Sequence, residues 1–225
     1  MSGSLGDIVK TLFGESTQTV DIIILLTVLT LLPTIVIMMT GFTRIVIVLS
    51  FVRNALGMQQ TPPNQVVIGL ALFLTLFVMG PVFTDIYDNA YVPYSNEEIN
   101  QTEFFERAMV PTRDFMLRQT QKSDMSFFMK LSGLDSTVDT PDEIPTRALS
   151  PAFMTSEIKT AFRIGFVIYI PFIVIDMVVA STLMAMGMMM LPPAMISLPF
   201  KILLFVMVDG WQLVIGTVVS SFGGG

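Results

Sequence analysis

Four long stretches of this chain carry almost no charge, and this limits its fold more than any motif does. They cover residues 20–52, 66–86, 161–190 and 194–222. A bilayer crossing by a helix needs ~20 mostly apolar residues, and each stretch is long enough. Only 13% of the residues are charged and 52% are hydrophobic, whereas a soluble domain has about 25% charged residues. That composition excludes disorder and argues against an ordinary soluble enzyme.

The breaks between the stretches set the connectivity. The first is expected to span near residues 22–42 and to continue as helix past Arg44 to Arg53. It meets the linker Gln59-Gln60-Thr61-Pro62-Pro63-Asn64, where Pro62 and Pro63 turn the chain into a hairpin. Pro192 and Pro193 stop the third stretch and open the fourth, which is expected to run on to Phe222. Between the pairs lies a polar segment holding most of the acidic residues. There Asn96, followed by Glu97 and Glu98, reads as a helix N-cap. Phe104, Phe105, Ala108 and Met109, then Phe115 and Met116, recur at helical spacing, with Pro111 as punctuation. A second short helix ends at Gly133, and 135–151 reads as loop, with the next helix starting near Thr155.

The expected architecture is an all-α membrane protein. About four long hydrophobic helices form two hairpins, with a small helical extramembrane domain between them. The boundaries are a polar N-terminal segment 1–19, a first hairpin 20–87, an acidic domain 88–160, a second hairpin 161–222 and a glycine tail 223–225. No solenoid or transporter repeat is expected. The first connection carries Arg44 and Arg53, with no acid from residue 22 to 84. The positive-inside rule therefore puts that turn in the cytoplasm and the acidic domain outside. Residues 1–19 lack a basic segment followed by an apolar core, so they do not read as a signal peptide.

With no Cys and no His, thiol and imidazole chemistry and zinc sites built on those ligands are excluded. Twelve Lys and Arg against eighteen Asp and Glu give a net charge of −6, which leaves no footprint for nucleic acid. Gly57 and Gly69 build no phosphate loop. No catalysis and no cofactor are read here.

Several residues do not suit a lipid-facing surface. Arg44, Asp176, Lys201 and Asp209 fall within apolar stretches, where a central charge costs ~2.5–3.5 kcal/mol on insertion scales. Arg44 either snorkels from a helix end or meets protein. Asp176 and Lys201 are expected to meet opposite charges on a neighbouring helix or subunit. Lys201 and Asp209, about two turns apart, are expected to share a face without pairing. Pro33, Pro171 and Pro199 interrupt helical hydrogen bonding, and their freed carbonyls need protein or water. Gly165, Ala180, Ser181, Ala185 and Gly187 would let helices approach closely. Met184, Met186, Met188, Met189 and Met190 crowd the approach to Pro192 and Pro193. Packing filler is the ordinary reading; the other is a deformable constriction, since methionine adapts to variable shapes.

These same segments carry a resemblance. Gly41-Phe42-Thr43-Arg44-Ile45, Arg53-Asn54-Ala55-Leu56-Gly57 and Gln59 to Gln65 resemble the FliP/SctR family of type III secretion proteins. So do the runs from Pro171 to Ser181, from Met184 to Pro193 and Leu198-Pro199-Phe200-Lys201. The resemblance implies a pore-forming export-gate subunit, present in several copies with FliQ-like and FliR-like membrane proteins. FlhA-like and FlhB-like components, membrane lipid and unfolded flagellar cargo are the further partners it implies. It places the chain in the bacterial inner membrane at the flagellar basal body, with the acidic domain periplasmic. It gives Met186, Met188, Met189 and Met190 the role of a gasket around the closed pore. A virulence injectisome gate differs in cargo only. A small-molecule transporter using Asp176 and Lys201, or a passive membrane scaffold, are the readings from other classes.

Overall fold

The computed structural model describes residues 18–58, 61–133, 144–188 and 190–223, and every regular element among them is helical. Two compact units divide between Met38 and Met39. The first holds α1 (Gln18–Met38), which runs through Pro33. The helix expected to continue from the first stretch to Arg53 is thus interrupted, and α2 (Phe42–Ala55) begins afresh after Gly41. Close packing explains the glycine. A Cβ on Gly41 would lie 2.8 Å from the Phe222 ring.

In the second unit α2 buries Ile45, Val48, Leu49 and Val52, the i, i+3, i+4, i+7 stripe of a helix with one core-facing side. That stripe packs along α8 (Thr146–Ala185), a helix of 40 residues. The two run in the same direction: Thr43 meets Met154, Arg44 meets Glu157, and Phe51 lies on Gly165 and Phe162. Gly165 makes room for the Phe51 side chain, since a Cβ there would come within 2.6 Å of it.

Each of these arms turns back on a second one. α3 (Asn64–Val78) returns along α2, and α9 (Pro193–Met207) returns along α8. Neither apolar stretch is a single straight run, as the sequence had suggested. From α3 the chain bends by 58° into Gly80–Ser95. This segment comprises α4 (Gly80–Ile86), a π-helical turn at Tyr87–Tyr91 and α5 (Val92–Ser95). Pro81 explains the first break, because it has no N–H to offer the preceding turn. From α9 the chain bends by 65° into α10 (Gly210–Ser220). Asp209 takes a left-handed conformation at φ 49° there, and a Cβ on Gly210 would strike Phe205 at 2.3 Å. By length and composition α8 alone qualifies as a continuous membrane span among the described residues.

The two bent hairpins follow one plan, at a constant offset of 130 residues. Gly57 and Gly187 both adopt positive φ, 76° and 74°. Each closes its helix with the same paired bonds, Gly57 N to Asn54 O (3.0 Å) and Met58 N to Arg53 O (3.2 Å), Gly187 N to Met184 O (3.0 Å) and Met188 N to Leu183 O (3.0 Å). This is the Schellman ending that glycine permits. Gly-Met, three variable residues and Pro-Pro follow in both. Both return arms are 15 residues long. They bury Val67, Ala71 and Thr75 in α3, and Ser197, Lys201 and Phe205 in α9, again 130 apart. Gly80 and Gly210 open the segments after the bends.

A second core lies where Met79 and Val82 meet Phe115 and Met116 of α6 (Gln101–Gln119) and Leu149 and Phe153 of α8. Three expectations for this region change. The N-cap is Asn100, not Asn96: Glu103 N donates to Asn100 Oδ1 at 3.0 Å, while Asn100 N donates to Glu103 Oε2 at 3.2 Å, a reciprocal capping box. Pro111 lies inside α6. α8 starts at Thr146, so Pro151 sits within it, and Ala148, Leu149, Ala152 and Phe153 are fully buried. Residues 135–143 of the expected loop lie outside the described residues. α7 (Lys122–Leu131) completes the region.

Candidate functional site: buried charges beneath a methionine tip

Arg44 is 2% exposed and Glu157 is fully buried. All five guanidinium N–H groups are engaged. Nε donates to Glu157 Oε2 at 3.0 Å, and Nη2 donates to Glu157 Oε1 and to Gln119 Oε1 at 2.9 Å. Nη1 donates to Ser221 O at 2.9 Å and to Ser221 Oγ at 3.0 Å. The guanidinium also stacks 3.9 Å from the Phe222 ring centre. Of the two readings left open for Arg44, protein contact holds: it joins α2, α6, α8 and the end of α10. Glu157 was missed by sequence reasoning, although it is the only acid between Glu143 and Asp176.

Asp176 and Lys201, expected to find partners on a neighbouring helix, are partners of each other across the second hairpin. Lys201 Nζ donates to Asp176 Oδ2 at 2.6 Å, and Ser197 Oγ donates to Asp176 Oδ1 at 2.6 Å. Lys201 is buried, while the Asp176 side chain is 38% exposed. Asp209 does not share a helix face with Lys201, because the helix ends at Met207. It occupies the bend, exposed, and takes part in no ion pair among the described residues.

A third polar cluster docks α7 on α8. Asp124, buried, accepts from Ser156 Oγ at 2.7 Å and pairs with Lys159. Burial alone pushes the Asp124 carboxyl up; the bond from Lys159, the bond from Ser156 and the Lys159 charge together hold it below the ordinary value of 3.8. Among the described residues no group of three Asp or Glu is placed to hold a metal ion.

Pro62 and Pro63 lie between α2 and α3, with Pro63 as the N-cap of α3, and Pro192 and Pro193 open α9. The tip before α9 presents Met184, Met186, Met188 and Met190 outward, Met190 being 98% exposed. Met189 lies outside the described residues. The geometry thus gathers three things on one long helix: the buried Glu157 near its base, the half-buried Asp176 paired with Lys201 further along, and exposed thioethers at its end.

Residues 25–218 match the FliP family. The chain is 56% identical over 210 residues to the flagellar biosynthetic protein FliP of Pectobacterium carotovorum subsp. carotovorum, covering 93% of this chain and 81% of that one. Identity to FliP of Bacillus subtilis (strain 168) is 54% over 205 residues, or 91% of this chain and 92% of the relative. Against FliP of Buchnera aphidicola subsp. Acyrthosiphon pisum (strain APS) it is 53% over 211 residues, where the match spans 93% of this chain and 55% of the relative. The chain belongs to the FliP family.

Proposed function

We propose that this chain is a pore-forming core subunit of the flagellar type III export gate in the bacterial inner membrane. Several copies, with FliQ-like and FliR-like proteins, enclose a channel for unfolded flagellar subunits, and FlhA-like and FlhB-like components adjoin it. The acidic domain lies on the periplasmic side. The two bent hairpins are the channel-building parts, and the methionine tip closes the channel between transport events.

The exposed tip carries this reading. Four methionines project from the end of a helix whose last 25 residues are mostly apolar. Flexible thioether chains can seal against one another at low cost and deform around a bulky chain. Replacing Met186, Met188, Met189 and Met190 by Ala is expected to raise small-ion leakage while assembled particles keep their normal yield. Unchanged conductance in a fully assembled variant overturns the gasket role.

A further inference from the structure

α10 packs against α9 and α2, and between it and α8 lies a cavity of about 570 Å³. Ile164, Ile168 and Phe172 line one side, and Leu204, Phe205 and Val214 line the other. Phe172, Phe205 and Val214 are buried, so the cavity has a floor of packed side chains. The only hydroxyl in its wall, Thr217 Oγ1, is spent on Leu213 O at 2.7 Å. The one charged residue in the wall is Arg163.

Arg163 differs from the other cations in the apolar stretches. Arg44 is paired with Glu157 and Lys201 with Asp176, and Arg53 donates to Asn64. Lys159, one turn before Arg163, is paired with Asp124. Arg163 is exposed and makes no ion pair or hydrogen bond among the described residues. It stands at the start of the apolar run 161–190, where α8 leaves the polar domain. From Arg163 to Phe172 the α8 wall extends about 14 Å at 1.5 Å per residue, the depth of one leaflet of a ~30 Å hydrocarbon core.

We propose that this cavity binds an anionic phospholipid, with its phosphate on Arg163 and one acyl chain laid along Ile164, Ile168 and Phe172. A cation at headgroup level and an apolar slot running inward from it match the two ends of such a lipid. Phosphate suits the guanidinium fork in charge and shape, and basic pockets between membrane helices hold anionic headgroups. An apolar partner helix would leave the guanidinium unanswered. The inference needs α8 to lie in a membrane and does not depend on the gate reading.

For the test, the full chain is purified with its partner membrane proteins, delipidated in detergent and titrated with phosphatidylglycerol or phosphatidylcholine. Native mass spectrometry counts the lipids retained per copy of this chain, so copy number does not enter the result. The unaltered chain is expected to retain phosphatidylglycerol at concentrations where phosphatidylcholine is lost. Arg163→Gln should weaken that retention about tenfold, as expected for loss of a charge-assisted bond. Lys130→Gln, which removes an exposed cation of α7, should leave it unchanged. Val167 is an exposed residue of the cavity wall, so Val167→Trp should block the slot without unfolding the chain and abolish retention. Equal retention of the two lipids, or of phosphatidylglycerol with and without Arg163, overturns the proposal. Undiminished retention by Val167→Trp does so too, because the lipid then lies outside the cavity. No lipid on the unaltered chain also overturns it and leaves the cavity to a protein partner.

Discussion

Arg44 shows how a single residue can organise several elements. Its charge lies among apolar neighbours, yet every donor has an acceptor and Glu157 supplies the opposite charge. Removing one partner of such a pair leaves the other buried and uncompensated, at ~3–5 kcal/mol. Arg44→Met alone is therefore expected to cost about that much, read as loss of folded protein in detergent. Adding Glu157→Leu should recover much of the loss, because an apolar pair of similar volume is often neutral. A double variant no better than the single one would contradict this account. At this scale the sequence was half legible. Arg44, Asp176 and Lys201 were visible as charges out of place, since their cost in lipid follows from composition alone. That Asp176 meets Lys201 was not visible, because the two sit on opposite sides of a turn whose register no local pattern specifies. The shared face assigned to Lys201 and Asp209 assumed an unbroken helix, and the left-handed Asp209 removes that assumption.

Helices were legible as elements, but their ends were not. Proline was read as punctuation at 111 and 151 and lies inside helices at both. At 62, 63, 192 and 193 it does mark the turn. The difference is the glycine five residues before each Pro-Pro pair, which ends the helix by a left-handed cap before proline arrives. The repeat Gly-Met, three residues, Pro-Pro stood in the sequence. It was missed because the arms around it diverge chemically: Val46, Val67 and Ala71 stand where Asp176, Ser197 and Lys201 stand in the second hairpin. The docking of α7 on α8 has a consequence at low pH. Asp124 titrates below its unfolded value of 3.8, so its contribution to stability is complete above that value and disappears as pH falls through the depressed folded value. The protection of the Lys122–Leu131 amides, taken relative to the intrinsic exchange rate at each pH, is expected to fall below pH 3.8. Lys159→Met should shrink that pH dependence, and an identical profile in the variant would count against the Asp124 pair as its source.

For the whole molecule, the most informative property is the surface left over after folding. Large apolar side chains remain exposed along α1, α3, the upper part of α8 and α9, more than a monomer in water tolerates. Gentle extraction from native membranes is expected to yield a particle containing several 24.9 kDa copies together with other small membrane proteins, measured as native mass. A lone monomer or dimer would instead favour a transporter. The long helix α8 also sets a mechanical scale. Its base is fixed to α2, α6 and α7 through Glu157, Phe153 and Ser156, while its far end carries the methionines. From Glu157 to the tip is about 45 Å at 1.5 Å per residue. One continuous helix thus joins the buried Arg44–Glu157 pair to the methionine tip.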